Sequence, residues 1–374
     1  MDKYLLIVGK YITGESLGGG EKFIKRLYES IPSNCEKIVF IDFFIGYKLS
    51  NFKNKLFGKQ LIIYKGNVRV EKLGVFPMIF LVLRKKIYSV LISGVEGYAL
   101  IILLFLKLKK GINIFYIVHG IYKYELINDR NGKDPFNFKY KLLFTEHIII
   151  KLANKIIYLS NATLKIMEKY FDISNKELIL INNGTDDIFF FTREETNLLK
   201  PLRLVYVGGY GRLLKGFDYL IDSLKQTKIR LELVICGKIE NEKEFFQKIK
   251  LLPAEINVKI KGMISSLELS QLYRNCDIFL LPSKFETFSI ATLEAMASSL
   301  VPIVTVNVGA ARYIENGKSG FIVNYDNSEE LINTITMLNE NRSLLKEIST
   351  TAQLEVKKLT WNELGKTYYN LLVN

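Results

Sequence analysis

The stretch Ile278-Phe279-Leu280-Leu281-Pro282-Ser283-Lys284-Phe285-Glu286-Thr287-Phe288-Ser289-Ile290-Ala291-Thr292-Leu293-Glu294 decides how this chain of 374 residues is read. Four consecutive apolar residues read as a buried strand, Pro282-Ser283 ends it, and the loop beyond feeds a helix. The first backbone N–H groups of a helix have no partner inside it and attract anions, so a strand, a short loop and a helix start make a phosphate site. Thr287 reads as the N-cap, which leaves the amides of Phe288, Ser289 and Ile290 to face the anion. Eight helical residues rise about 12 Å, so Glu286 and Glu294 would flank a diphosphate and hold hydroxyls at its two ends. A nucleotide-sugar carries hydroxyls at both ends. The competing reading makes Glu286 a loop carboxylate and Glu294 part of a solvated helix face.

Working outward, the length exceeds what one core usually supports and points to two domains. With 49% hydrophobic and 24% charged residues the chain is globular, not disordered. The cysteines, Cys35, Cys236 and Cys276, form no C-x-x-C pair, which points to a reducing compartment. The opening Met1-Asp2-Lys3 runs straight into an apolar strand without a signal-peptide core, so a cytoplasmic location is expected. The net charge of +14 is uneven: residues 1–190 hold 29 Lys+Arg against 17 Asp+Glu, and residues 191–374 hold 23 against 21. An excess confined to the first half suggests an anionic partner there, a membrane surface or a phosphorylated acceptor, unless the lysines serve only solubility.

The most apolar stretch, Phe76 to Leu108, is broken by Arg84-Lys85-Lys86 and Glu96, and its longest uncharged piece, Gly97 to Leu106, is too short to span a bilayer. Gly97–Leu106 reads as a buried helix. Met78–Ile87, with its basic cluster, could lie on a membrane surface.

Strand-like and helix-like segments alternate throughout, the pattern of parallel α/β layers. Strands are expected at Tyr4–Val8, Lys37–Ile41, Val90–Ser93, Ile114–His119, Lys155–Leu159 and Glu177–Ile181, and again at Leu202–Val207, Leu231–Cys236, Val258–Ile260, Ile278–Leu281 and Val301–Thr305. The polar run Asn182–Asp187 and the charged run Thr192–Lys200 place a boundary near 190. The expected architecture is two doubly wound Rossmann-like domains, 1–190 and 191–374, with a cleft at their strand ends.

Three further motifs face that expected cleft. Gly18-Gly19-Gly20-Glu21 precedes an amphipathic helix (Phe23, Ile24, Leu27) and lets the backbone approach a ligand, although the spacing does not form G-x-G-x-x-G. Gly208-Gly209-Tyr210-Gly211-Arg212-Leu213-Leu214-Lys215-Gly216 sets two cations in a glycine-rich loop, where Arg212 and Lys215 would neutralise a diphosphate and its leaving-group charge. His119 ends a strand, at the side of such a fold where ligands bind. No C-x-x-C, H-E-x-x-H or D-x-D signature occurs, so neither a metal nor another cofactor is expected.

Taken together these segments resemble the retaining family-4 glycosyltransferases of the GT-B fold over nearly the whole chain. Glu286 through Glu294 matches that family's E-x7-E motif and is followed by Ala295-Met296-Ala297, Val308-Gly309 and Gly317-Lys318-Ser319-Gly320-Phe321. Gly18-Gly19, His119-Gly120, Asn183-Gly184-Thr185-Asp186 and Lys215-Gly216 are less specific matches. Thr287 and Ser289 stand where members often carry glycine, Gly209 where they often carry arginine, and Ser298-Ser299 replaces a commoner Cys-Gly or Ser-Gly pair.

The resemblance implies a donor held by the second domain, an acceptor held by the first, and a last helix near Trp361 (about 360–374) crossing back to the first. By that likeness Glu286 contacts the donor sugar, Glu294 the ribose, and Arg212 with Lys215 the diphosphate, while His119 lies beside the transferred sugar. Gly18, Gly19, Thr287, Phe288 and Ser289 complete the donor contacts. The implied activity is a metal-independent, retaining hexosyltransferase using a nucleotide-sugar, in which the leaving phosphate assists deprotonation during front-face attack. Its acceptor would be a saccharide or a lipid-linked molecule of bacterial surface polysaccharide or glycolipid synthesis, with peripheral contact at the inner face of the membrane and no nucleic-acid partner. A nucleotide-sugar-binding protein without turnover and a GT-B-fold nucleotide-sugar epimerase are the alternatives.

Overall fold

A computed structural model describes residues 3–9, 19–32, 37–43, 52–95, 97–128, 136–191 and 200–374. Gly18, Cys35, Glu96 and the linker 192–199 of the sequence reading lie outside these residues. The chain divides into two compact units: Met1–Leu126 with Lys133–Asn182 and Trp361–Asn374, and Ile127–Gly132 with Asn183–Thr360.

The first unit alternates strand and helix: β1 (Lys3–Gly9), α1 (Gly19–Ser30), β2 (Lys37–Phe43), α2 (Phe52–Phe57), β3 (Lys59–Lys65), β4 (Val68–Leu73), α3 (Val75–Arg84), β5 (Lys86–Ser93), α4 (Gly97–Leu106), β6 (Asn113–Ile117), α5 (Tyr122–Asn128), α6 (Phe136–Leu152), β7 (Lys155–Tyr158), α7 (Asn161–Tyr170) and β8 (Glu177–Leu180). The strands form one sheet in the order β3-β4-β2-β1-β5-β6-β7-β8. Every pair is parallel except β3 with β4. That hairpin is the main departure from the expected all-parallel layer. It turns at Gly66-Asn67, where Gly66 has φ 59°, and a Gly-Asn pair between two β-rich runs is the hairpin signal in the sequence. Short β5 and β6 expectations also shift: β5 begins at Lys86, and β6 ends two residues before His119.

Gly97–Leu106 is the buried helix expected from its composition, with Ala99, Ile102, Leu103 and Leu106 inward. In α3, Met78 and Val82 are fully buried while Phe76, Phe80 and Leu83 point outward.

The second unit runs β9 (Leu202–Val207), α8 (Phe217–Leu224), β10 (Leu231–Cys236), α9 (Glu242–Ile249), β11 (Ile256–Gly262), α10 (Ser266–Tyr273), β12 (Ile278–Leu281), α11 (Ile290–Ala297), β13 (Val301–Thr305), β14 (Phe321–Val323), α12 (Ser328–Glu340) and α13 (Arg342–Val356). The sheet order β11-β10-β9-β12-β13-β14 is wholly parallel. Chain order runs outward from β9 in one direction and outward from β12 in the other, so the topological switch lies between these two neighbours. In a doubly wound sheet the crevice for a ligand opens at the carboxyl ends of the strands on either side of that switch. The loop after β9 carries Gly208 to Gly216, and the loop after β12 carries Pro282 to Ser289. The last helix, α14 (Trp361–Val373), belongs to the first unit and packs on α1, with Trp361 and Tyr368 set edge-on to Phe23.

Candidate functional site

In the second unit a main-chain bond joins the two switch-point loops, and a side chain of β9 anchors the first of them. Lys284 donates its N–H to the Leu214 carbonyl at 2.9 Å, and the Tyr206 hydroxyl, from inside β9, donates to the Lys215 carbonyl at 3.2 Å. Gly216 closes the 3₁₀ turn Leu213–Lys215 at φ 71°, and a Cβ there would lie 1.8 Å from the Pro282 carbonyl oxygen. Only glycine permits that approach. The Lys215 ammonium is thereby brought onto the Glu286 carboxylate, and the two side chains pair.

Glu286 is held from its other side by a short parallel bridge to Val308. Its N–H donates to the Asn307 carbonyl at 3.1 Å, its carbonyl accepts from Gly309 at 3.1 Å, and the Phe288 carbonyl accepts from Ala310 at 2.7 Å. The loop after β13, which includes the Val308-Gly309 of the sequence motif, thus clamps the loop after β12. Thr305, at the end of β13, donates its hydroxyl to the Ser283 carbonyl. Tyr206 and Thr305 were missed by sequence reasoning, since nothing in a buried strand tyrosine or threonine distinguishes a loop anchor from core.

The helix start differs from expectation. The N-cap is Ser289, not Thr287, and its hydroxyl accepts from the Thr292 N–H at 3.3 Å and from the Thr292 hydroxyl at 2.9 Å. Ser289 reaches this position with φ 77°, a conformation few non-glycine residues adopt. The helix therefore starts at Ile290, and Glu294 lies about 6 Å along it, at 1.5 Å per residue, rather than 12 Å. Thr287 and the backbone of Phe288 belong to the loop, and the Phe288 ring is core, 1% exposed. Glu294 is 3% exposed, so the solvated-face alternative for it fails. Burial and, next, the Glu294 charge push the Tyr273 hydroxyl well above its ordinary pKa. Tyr206 is likewise raised, by burial first and then by Glu286.

Arg212 precedes the 3₁₀ turn and is exposed. Gly209, where the resemblance leads one to look for arginine, has φ 65° and would place a Cβ 2.2 Å from the Lys238 carbonyl oxygen. The β9 loop crosses the β10 loop too closely there for any side chain.

The first unit has its own switch point, between β1 and β5. His119, just past β6, shares a 3.1 Å hydrogen bond with the Ser93 hydroxyl at the end of β5. Its ring lies 4.8 Å from that of Phe23. Gly19 and Gly20 open α1, and a Cβ on Gly20 would touch the His119 ring at 3.7 Å. Burial lowers the His119 pKa to about 4, so the imidazole is neutral at pH 7. Nearby, Glu146 of α6 is buried and accepts the N–H groups of Tyr122 (2.8 Å) and Lys123 (3.1 Å), yet burial outweighs these bonds and raises its pKa to about 7. Among the described residues no group of three or more His, Cys, Asp or Glu side chains is placed to hold a metal ion, and no helix is long and apolar enough to cross a membrane.

Two Rossmann-like sheets in one chain, parallel but for the β3–β4 hairpin, make the architecture GT-B, and solved structures agree. Sucrose-phosphate synthase from Thermosynechococcus elongatus superposes with a TM-score of 0.77 at 14% identity, covering 99% of this chain and 98% of that one. HepE of Anabaena, in complex with UDP and glucose, superposes at 0.73 and 16% identity, covering 99% of both chains. Residues 189–355 match the model of the family Glycosyl transferases group 1. Among relatives, the mannosylfructose-phosphate synthase of Agrobacterium fabrum is 27% identical over 62% of this chain and 55% of its own length. The capsular polysaccharide biosynthesis glycosyltransferase CapM of Staphylococcus aureus is 28% identical over 63% of this chain and 67% of its own. The chain thus matches a little over half the length of the first of these relatives.

Proposed function

We propose that this protein is a retaining, metal-independent glycosyltransferase that moves a hexosyl group from a nucleotide-sugar to a saccharide or lipid-linked acceptor. The observation that carries the reading is the Lys215–Glu286 pair, set by three interlocked loops at the switch point beside the start of α11. A cation next to the unpaired N–H groups of a helix start receives a diphosphate and stabilises it as a leaving group. Glu286, beside it, accepts hydrogen bonds from donor-sugar hydroxyls and releases Lys215 to the phosphates when the donor binds. Glu294 serves the ribose, and Arg212 adds a second cation for the diphosphate. The amides and hydroxyls of Thr287, Phe288 and Ser289 line the donor loop. His119, with Gly18 and Gly19, is assigned by the family resemblance to contact with the transferred sugar. Being neutral, it offers a hydrogen bond without competing for the diphosphate charge.

The UDP and glucose bound by HepE support a nucleotide-sugar donor, and the capsular polysaccharide biosynthesis role of CapM supports polysaccharide synthesis. A cytoplasmic location with peripheral contact at the inner membrane face through the basic first domain fits the charge asymmetry. Purified protein warmed with UDP-, GDP-, ADP- and dTDP-sugars, with and without EDTA, tests the donor site. A rise in Tm with one nucleotide class that survives EDTA is expected, followed by sugar transfer with retained anomeric configuration. No shift with any of them overturns the donor reading. Binding without turnover leaves a nucleotide-sugar-binding protein, and product formed without acceptor leaves an epimerase.

A further inference from the structure

The first unit carries an apolar face that no described residue covers. The connections β4 to β5, β5 to β6 and β6 to β7 all step the same way along the sheet, so right-handed crossover puts α3, α4 and α6 on one face and α1, which steps the other way, on the opposite one. On that face α2 packs on α3, α3 on α4, and α4 on α6. Having buried Met78 and Val82 beneath it, α3 presents Phe76, Phe80 and Leu83 outward, at i, i+4 and i+7 on one helical line. Phe57 of α2 stacks on Phe76 with ring centroids 4.9 Å apart, and Leu104 of α4 and Leu108, two residues past its end, extend the face. These six side chains are between 50% and 76% exposed. A soluble surface does not normally gather such a group without a partner.

The rim of the face identifies the partner. From Phe52 to Lys110 the sequence holds 12 Lys+Arg and 2 Asp+Glu. One of the two acidic residues, Glu71, is buried in β4, and the other, Glu96, lies outside the described residues. Arg84 lies over the Phe80 ring at 4.2 Å, and Lys86, Lys107 and Lys110 are exposed at the ends of α3 and α4. Lys109 is turned instead to the last carbonyls of α3, at 2.6 Å from Val82, 3.1 Å from Leu83 and 2.9 Å from Lys85. It locks the two helix ends together so that both ridges and their cations form one surface. A second copy docked here by two-fold symmetry would set cations against cations. A lipid surface bearing anionic headgroups takes both parts: rings and leucines enter the headgroup boundary, and the cations meet phosphates.

We infer that the α2–α3–α4 face is a docking surface for an anionic phospholipid bilayer. This deepens the peripheral contact proposed above by naming the face and the lipid class, and it needs none of the donor-site residues. The experiment is co-sedimentation of the full chain with vesicles of phosphatidylcholine, alone or with 30% phosphatidylglycerol, at rising salt. The wild type is expected to pellet with the anionic vesicles and not with the neutral ones. Phe80→Ser combined with Leu83→Ser, and separately Arg84→Gln with Lys86→Gln, Lys107→Gln and Lys110→Gln, are each expected to lower partitioning at least tenfold, since one cation near an anionic surface contributes roughly fivefold. Both variants keep their Tm and their nucleotide-sugar thermal shift, which separates this outcome from failure of the donor site. A wild type that stays in the supernatant, or variants that pellet like it, overturns the proposal. So does a wild-type dimer in sedimentation velocity that the Phe80→Ser, Leu83→Ser variant dissolves without any vesicle binding.

Discussion

The Lys215 ammonium and the Glu286 carboxylate form an ion pair across two loops that leave the adjacent strands β9 and β12. Each member is one step from a backbone anchor, so the pair is positioned by main chain rather than by its own attraction. Partly exposed pairs of this kind contribute little to stability, about 1 kcal/mol or less. Glu286→Gln is therefore expected to melt within a few degrees of the wild type while losing transfer rate by about 10²-fold, the usual loss for one preorganised polar contact to a transition state. Lys215→Met is expected to raise the donor KM as well. Steady-state kinetics on purified variants check this, and a Glu286→Gln enzyme at full rate sinks the assignment.

Glycine 216 and glycine 317 separate backbone strain from steric exclusion. Both have positive φ, 71° and 80°, but a Cβ on Gly317 meets nothing within 4 Å, whereas on Gly216 it meets the Pro282 carbonyl oxygen at 1.8 Å. Gly317→Ala is expected to cost about 1 kcal/mol, the left-handed penalty alone. Gly216→Ala must also force the two switch-point loops apart, so it is expected to cost more than 2 kcal/mol and to abolish the donor thermal shift. Urea unfolding of the two variants side by side measures the difference.

Periodicity and apolar runs located most strands within a residue or two, because β12, β13 and their neighbours are buried on both faces and read as continuous hydrophobic segments. Leu202–Val207 and Gly97–Leu106 were found at the bounds the structure gives them. The β3–β4 hairpin and β14 were not. The hairpin carries lysines on an edge, and β14 has three residues, too few to show a period. At the site, Glu286 and Lys215 could be named from spacing, but their pairing depends on β9 and β12 being sheet neighbours, a fact of topology with no local trace. The misplaced helix start also has a non-local cause. Thr287 is a good N-cap by type, but its successors Phe288 and Ser289 are committed to the β13 loop and to a left-handed turn, and tertiary pairing overrode the propensity.

Two buried groups in the first unit titrate in opposite senses. Glu146, raised to about 7 from 4.5 by burial, keeps a proton in the folded state that the unfolded chain releases. Its contribution is whole below pH 4.5 and lost as pH rises through 7. His119, lowered to about 4 from 6.5, refuses a proton that the unfolded chain takes up, so stability is eroded as pH falls from 6.5 toward 4. Between pH 4.5 and 6.5 both groups are active and their opposite slopes, about 1.36 kcal/mol per pH unit each, cancel, so the wild type is expected to be level there and to lose stability only outside that window. Glu146→Gln leaves His119 alone, and stability should then rise with pH across the window. His119→Gln leaves Glu146 alone, and stability should then fall across it. Urea midpoints from pH 4.5 to 8 decide it, and unchanged slopes in both variants would falsify the assignment.

Ser289 joins a strained backbone to a useful hydroxyl, and the two can be taken apart. At φ 77° a non-glycine residue loses about 1 kcal/mol, while the hydroxyl returns about as much by capping α11 through Thr292. Ser289→Ala keeps the strain and discards the cap, and is expected to destabilise by about 1–2 kcal/mol. Ser289→Gly discards both. Glycine caps within a few tenths of a kcal/mol of serine and is unstrained here, so this variant is expected to match the wild type or exceed it slightly. If the site is built for a diphosphate, Ser289→Gly should also keep the donor thermal shift, because the Ile290 and Ala291 amides at the helix start remain in place. Ser289→Ala should weaken that shift by fraying the same turn. Equal stability of the alanine and glycine variants would show that the left-handed turn at Ser289 carries no strain.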